Sequence, residues 1–226
     1  MATVAAEPLY LPLRGRAVWA RRILVVVVAV DVVAILSGLA EYRLLTSGNY
    51  SLEAAEANDA RQGIVALTQV ALFVAATVFF IRWFHRAYTN LPRLGSEYLR
   101  YRGGWAIGAW FVPILNLFRP KQIANDIWRG SAPTLPRHAG NSWYDGPKPA
   151  LLAWWWAAFV VTNLVSNTAL RLSLSAEELI ELRRATVAYL IADAVGVVAG
   201  LLAIRVVARL TERQEARAEA LRSQSQ

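Results

Sequence analysis

The stretches ILVVVVAVDVVAIL, Ile23 to Leu36, and VALTQVALFVAATVFFI, Val65 to Ile81, decide the fold class. A helix on a water-soluble core carries polar residues on its outer face every three to four positions, and these runs are apolar nearly all round. Working outward, apolar stretches at about 20–40, 63–81, 150–170 and 185–204 each approach the roughly 20 residues that a helix needs to cross about 30 Å of hydrocarbon. The expectation is an all-α integral membrane bundle of four transmembrane helices. Its membrane domain covers 20–207, between an N-terminal segment 1–19 and a helical tail 208–226.

A fifth apolar run, Trp105 to Phe118, is too short for a crossing: its 14 residues reach about 21 Å at 1.5 Å each. Pro113 breaks the run, so a short re-entrant or interfacial segment over 105–118 is expected, returning to the side it came from. A polar stretch follows. Ile123, Ile127 and Trp128 fall on one face of a helix over 120–129, and Gln122, Asn125, Asp126 and Arg129 on the other. That is the pattern of a cytoplasmic amphipathic helix at a membrane surface. Pro120 suits its first turn, where a missing N–H costs nothing. Asn116 stands where a returning chain leaves backbone groups unpaired, and its amide either caps that turn or serves a ligand.

Charge orients the chain. From Arg82 to Pro149 ten Arg or Lys stand against three acids, whereas the Glu41 to Gln62 loop holds four acids and two arginines. The positive-inside rule then puts both termini and the middle region in the cytoplasm, which four crossings satisfy. The first span is expected to stay uncleaved, although Gly38 and Ala40 before Glu41 would also suit a signal-peptide cleavage site. The net charge of +8 sits beside the spans and sets orientation, so no nucleic acid is expected as a partner. The tryptophans near the cytoplasmic boundaries read as an aromatic belt. With no cysteine and two histidines, neither a disulfide nor a protein-built metal site is expected, and no cofactor is implied. Lysine accounts for only Lys121 and Lys148 among 24 basic residues, which with the alanine content suggests a GC-rich bacterial genome and a bacterial plasma membrane.

RAYTN at Arg86 to Asn90, Leu94 and Gly95, then GWAIGAWFVPILNLFRPKQIANDIWRGS at Gly104 to Ser131 and the tryptophan-rich start at Leu151, carry a family resemblance. Over roughly Gly63 to Val207 the chain resembles the bacterial multi-pass membrane family catalogued as domain of unknown function 4328. The resemblance implies a multi-pass architecture and no established activity. It marks Trp110, Pro113, Asn116, Arg119, Pro120, Gln122, Trp128 and Arg129 as signature positions.

Two groups of residues are functional candidates. Arg82 and Arg86, one helical turn apart beyond the second span, could converge with Arg119 and Arg129 on an anionic head group or an acidic partner segment. The other reading is snorkelling and nonspecific attraction to anionic lipid. Asp31 and Asp193 lie near mid-span with Gln69 and Asn163 at similar depth. They form either a proton or cation site, or a structural set bonded to Gln69, Asn163, Thr68 or Thr162. A weak repeat, SLEAAEANDARQ before the second span and SLSAEELIELRR before the fourth, fits a duplicated hairpin or shared capping and topology pressures alike. ERQEARAEAL in the tail reads as a solvated helix. No nucleophile elbow, metal-ligand cluster or phosphate-binding glycine loop is present, so an enzyme is not expected. The expected function is a scaffold or sensor binding anionic lipid or a partner protein through 82–130, with a protein partner or a homo-oligomer as the expected assembly. The alternative is a small proton- or cation-linked transporter using Asp31 and Asp193.

Overall fold

The computed structural model describes residues 10–224. In chain order its helices are α1 (Arg14–Ser47), α2 (Leu52–Thr89), α3 (Trp105–Gly108), α4 (Pro113–Asn116), α5 (Arg119–Gly130), α6 (Ala150–Leu174) and α7 (Leu179–Ser223), with 3₁₀ turns at Leu91–Leu94 and Ser142–Asp145. Among the described residues there is no strand. The four long helices, α1, α2, α6 and α7, are long and apolar enough to cross a membrane. All of them overrun the spans read from hydropathy. Apolar composition marks the crossing but not the helix end, and the flanking Ala, Glu, Gln and Arg are good helix formers. The region 41–62, read as a loop, is therefore mostly helix. Only residues 48–51 remain between α1 and α2, where Gly48 has φ +71° and the Ser51 hydroxyl accepts the Ala54 N–H at 3.1 Å as an N-cap.

The chain divides into two compact units. The first comprises Arg22–Thr77 and Trp154–Ile204. Its outside is apolar: Val25, Val33, Leu36, Leu67, Val70 and Phe73 are all exposed, the inverse of a soluble surface and what lipid contact requires. Small residues let its helices approach closely. A side chain added at Gly200 would meet Val28 Cγ2 at 2.5 Å, and one at Gly196 would meet Asp31 Oδ2 at 3.3 Å, so α7 offers a small-xxx-small face to α1. At the 48–51 turn end, Arg61 Nε donates to Ser37 Oγ at 3.0 Å, Gln62 Nε2 to Glu41 Oε2 at 2.9 Å, and Arg183 Nε to the Leu45 carbonyl at 3.0 Å.

The second unit comprises Met1–Arg21, Val78–Ala153 and Arg205–Gln226. Its interior is built on Trp83, Phe84, Tyr88, Ile123, Ile127 and Leu210, all fully buried. Helix α5 lies at its centre, packed against α3, α4 and both 3₁₀ turns. The tail, read as solvated, is helical but turns a polar face inward: Gln214 and Arg217 are fully buried. Gln214 Nε2 donates to the Ala87 carbonyl at 2.9 Å and to Ser131 Oγ at 3.1 Å, and its Oε1 accepts from Asn90 Nδ2 at 3.1 Å. Arg217 spends its guanidinium on three carbonyls, those of Leu94 at 3.1 Å, Pro136 at 2.7 Å and Leu135. The aromatic belt needs the same kind of correction. Trp83, Trp143, Trp155 and Trp156 are buried, Trp105 and Trp128 half-buried, and Trp19 and Trp154 exposed; half of these eight rings are packing groups.

Candidate functional site

Helix α5 begins with Pro120 in its first turn, as expected, and Pro120 is buried. The middle of its polar face is not at a surface, although Gln122 and Arg129 are half-buried. Asn125 and Asp126 are buried together with Ile123, Ala124 and Ile127, so the middle of the helix is covered on both sides. Sequence periodicity identifies two faces but cannot say what covers the polar one. Asp126 has no hydrogen-bond donor on either carboxylate oxygen among the described residues; it forms an ion pair with Arg100, whose Nε lies 3.4 Å from Oδ2. Burial pushes the Asp126 carboxyl up to about 6, outweighing the opposing charges of Arg100, Arg129 and Lys148. Around it, the Tyr88 hydroxyl donates to the Tyr101 carbonyl and accepts the Tyr101 N–H, both at 3.0 Å. The Tyr101 hydroxyl donates in turn to Gln122 Oε1 at 2.5 Å. Arg100 stands over the Tyr144 ring at 5.6 Å.

The arginines proposed from sequence have different described partners. The Arg119 guanidinium stacks over Trp105 at 3.9 Å and Tyr101 at 5.0 Å, and its Nη1 is buried without an acceptor. Arg129 Nε donates to the Gly146 carbonyl at 2.6 Å. Arg82 is exposed and Arg86 half-buried. Both act electrostatically on Arg16, whose Nη1 donates to the Arg82 carbonyl at 2.9 Å. No described contact joins Arg82 or Arg86 to Arg119 or Arg129. Two cations escaped the sequence reading: Arg16, and Arg213, which stacks on Trp128 at 4.3 Å while its Nε donates to the Trp128 carbonyl at 2.8 Å. For Arg213 the sequence carried no signal, because Gln214 and Arg217, which line the buried face of the tail beside it, are themselves polar and break the apolar recurrence that marks such a face.

The segment 105–118 holds two single-turn helices, α3 and α4, and is not among the long apolar helices. Pro113 opens α4 after an extended Val112. Trp110 sets its edge against Phe80 and Phe84, each at 5.6 Å. Asn116 does not cap the turn through its side-chain oxygen, which is buried without a donor; its N–H bonds the Val112 carbonyl at 2.8 Å. Phe111, Ile114, Leu117 and Phe118 remain exposed, the last of them next to Arg119 in sequence.

In the first unit, three of the four mid-span polar residues meet. Gln69 Nε2 donates to Asp31 Oδ1 at 3.2 Å and to Asp193 Oδ1 at 3.0 Å, one carboxamide joining three helices. Asn163 does not belong to this set. It is exposed and donates to the Phe159 carbonyl on its own helix at 2.8 Å, and Thr68 and Thr162 likewise bond within their helices. Counting residues gives a position along the helix, but rotation about its axis was not readable.

These features define an all-helical protein with four helices long and apolar enough to span a membrane. A family model described as Domain of unknown function (DUF4328) matches residues 46–212, and the chain belongs to that family. The match begins before Gly63 and ends after Val207, taking in the 48–51 turn and more of the tail than the motif resemblance did. No curated protein and no solved structure matches the chain.

Proposed function

We propose that this protein is a membrane-embedded scaffold or sensor that engages anionic lipid or an acidic partner through residues 82–130. The observation that carries the reading is the exposure of Phe111, Ile114, Leu117 and Phe118 directly before the half-buried Arg119. Four large apolar side chains exposed in sequence beside a cation suit the level of the head groups, where apolar side chains reach acyl chains and arginines reach phosphates. In this reading 105–118 is interfacial, the chain crosses the bacterial plasma membrane four times, and both termini are cytoplasmic. It has no catalytic role. The test is native mass spectrometry of the mildly extracted protein. Retained anionic phospholipid, or a retained protein partner lost on Arg119→Lys with Arg129→Lys, supports the reading; retention of lipids in their bulk proportions, unaltered in that double variant, overturns it.

A second reading rests on the Asp31–Gln69–Asp193 contact: a proton- or cation-linked carrier in which the two carboxyls load and release the ion. In reconstituted vesicles Asp31→Asn and Asp193→Asn would abolish a proton-dependent flux while the fold is kept. Absence of any such flux in the unaltered protein leaves the three residues as helix-joining hydrogen bonds.

A further inference from the structure

Arg16, Arg82 and Arg86 form a cationic group in the second unit. None of the three pairs with a carboxylate among the described residues, and Arg16 feels the charges of both others. Like charges gather at a cost, which the hydrogen bond from Arg16 Nη1 to the Arg82 carbonyl offsets in part. That bond uses one of five guanidinium donors, leaving the others for a ligand. Arg16 and Arg82 line a pocket of about 290 Å³ together with Gly15, Trp19 and Phe79. Gly15 keeps one wall open, since an added side chain would meet nothing within 4 Å. The rest of the lining is aromatic: Trp19 and Phe79 stack with ring centroids 6.1 Å apart, and both are exposed, as are the adjacent Val18 and Val78.

The geometry points to a binding site for the phosphate of an anionic phospholipid, gripped by Arg16 and Arg82 with Arg86 adding charge, while the first acyl carbons lie on the Trp19–Phe79 shelf. Guanidinium groups recognise phosphate oxygens in bidentate fashion. A soluble anion would account for the arginines but would leave the exposed aromatic pair and its valine neighbours without a role, whereas a lipid uses both halves of the site. The assignment rests on the lipid-engaging reading above and moves its specific contact from Arg119 and Arg129 to the α1–α2 pair.

The experiment titrates the full-length chain, in neutral detergent, with short-chain phosphatidylglycerol, with short-chain phosphatidylcholine and with inorganic phosphate, scoring bound ligand by native mass spectrometry. Phosphatidylglycerol should bind in preference to phosphatidylcholine. Its affinity should fall roughly tenfold or more in Arg16→Gln with Arg82→Gln, from the loss of charge-assisted phosphate contacts. Gly15→Leu, which fills the pocket and keeps every arginine, should produce a comparable loss and guards against a folding defect in the double variant. If the unaltered protein prefers phosphatidylglycerol but neither variant weakens it, this pocket is not the site and the broader reading survives at another arginine. No preference in the unaltered protein overturns both. If inorganic phosphate binds as well as phosphatidylglycerol and competes with it, the site takes a soluble anion and the lipid assignment fails.

Discussion

Asp126→Asn should stabilise the protein at neutral pH and change it little at pH 4. The carboxyl is fully buried, lacks a hydrogen-bond donor among the described residues, and is pushed by burial from 3.8 up to about 6. A group whose pKa rises on folding binds its proton more tightly in the native state. Its contribution is therefore fully present below the unfolded pKa and is lost as the pH climbs through the folded value. Here the loss runs from about pH 4 to pH 6 and stays complete above it. A rise of about 2 pH units, at 1.36 kcal/mol each, makes the ionised carboxylate about 3 kcal/mol less favourable in the native state than the protonated acid. Asparagine keeps the shape and removes the charge. Arg100 then loses its partner at little cost, because its side chain is 39 % exposed and remains over the Tyr144 ring. The assay is thermal unfolding of the detergent-purified chain, followed by tryptophan fluorescence. At roughly 2–4 °C per kcal/mol for a chain of this size, the variant should gain about 6–12 °C at pH 7.5 and nearly nothing at pH 4. Other groups titrate in both proteins, so the difference between them isolates Asp126. A variant less stable than the parent at pH 7.5 would refute the reasoning, since it would mean that the Arg100 ion pair outweighs the burial of the charge.

Arg217→Met keeps the volume of a fully buried side chain but strips donors from the Leu94, Leu135 and Pro136 carbonyls. It should cost about 3–5 kcal/mol and expose the tail to limited proteolysis; an unchanged digestion pattern would mean that water replaces the guanidinium freely. Gly200→Leu forces a side chain to within 2.5 Å of Val28 Cγ2 and should reduce the monodisperse fraction on size-exclusion chromatography. Gly63→Leu, which meets nothing within 4 Å, should leave it unchanged, and equal behaviour of the two variants would remove the close approach of α1 and α7.

Hydropathy made the four long helices legible because the free energy of placing a helix in lipid depends on composition summed over about 20 residues, which a sequence displays directly. The family was legible from WFVP, RPKQ and the W-R pair at Trp128 and Arg129, which the match over residues 46–212 bears out. What covers each face was not legible. Asp126 and Asn125 looked solvated because a polar stripe on an isolated helix has nowhere else to go; in the fold the middle of α5 is enclosed on both faces. Arg217 and Gln214 looked like a charged exterior for the same reason, yet they hold the tail through carbonyls contributed by 87–136. The Asp31–Gln69–Asp193 contact was half legible: depth follows from counting residues, but rotation about each axis depends on packing, and it excluded Asn163. The small-xxx-small pair Gly196 and Gly200 was available as a motif and predicts close helix approach by itself.

Topology tests the account most directly. The chain has no cysteine, so single cysteines at Ser51, Ser175 and Thr134, all exposed, report cleanly; Ser131, fully buried, would stay unlabelled on either side. A membrane-impermeant maleimide applied to intact cells should label the variants at 51 and 175, and should label the variant at 134 only after permeabilisation. Labelling at 134 in intact cells as strong as at 51 would put the arginine-rich segment outside and contradict four crossings with cytoplasmic termini, and with them the lipid-facing role assigned to residues 82–130.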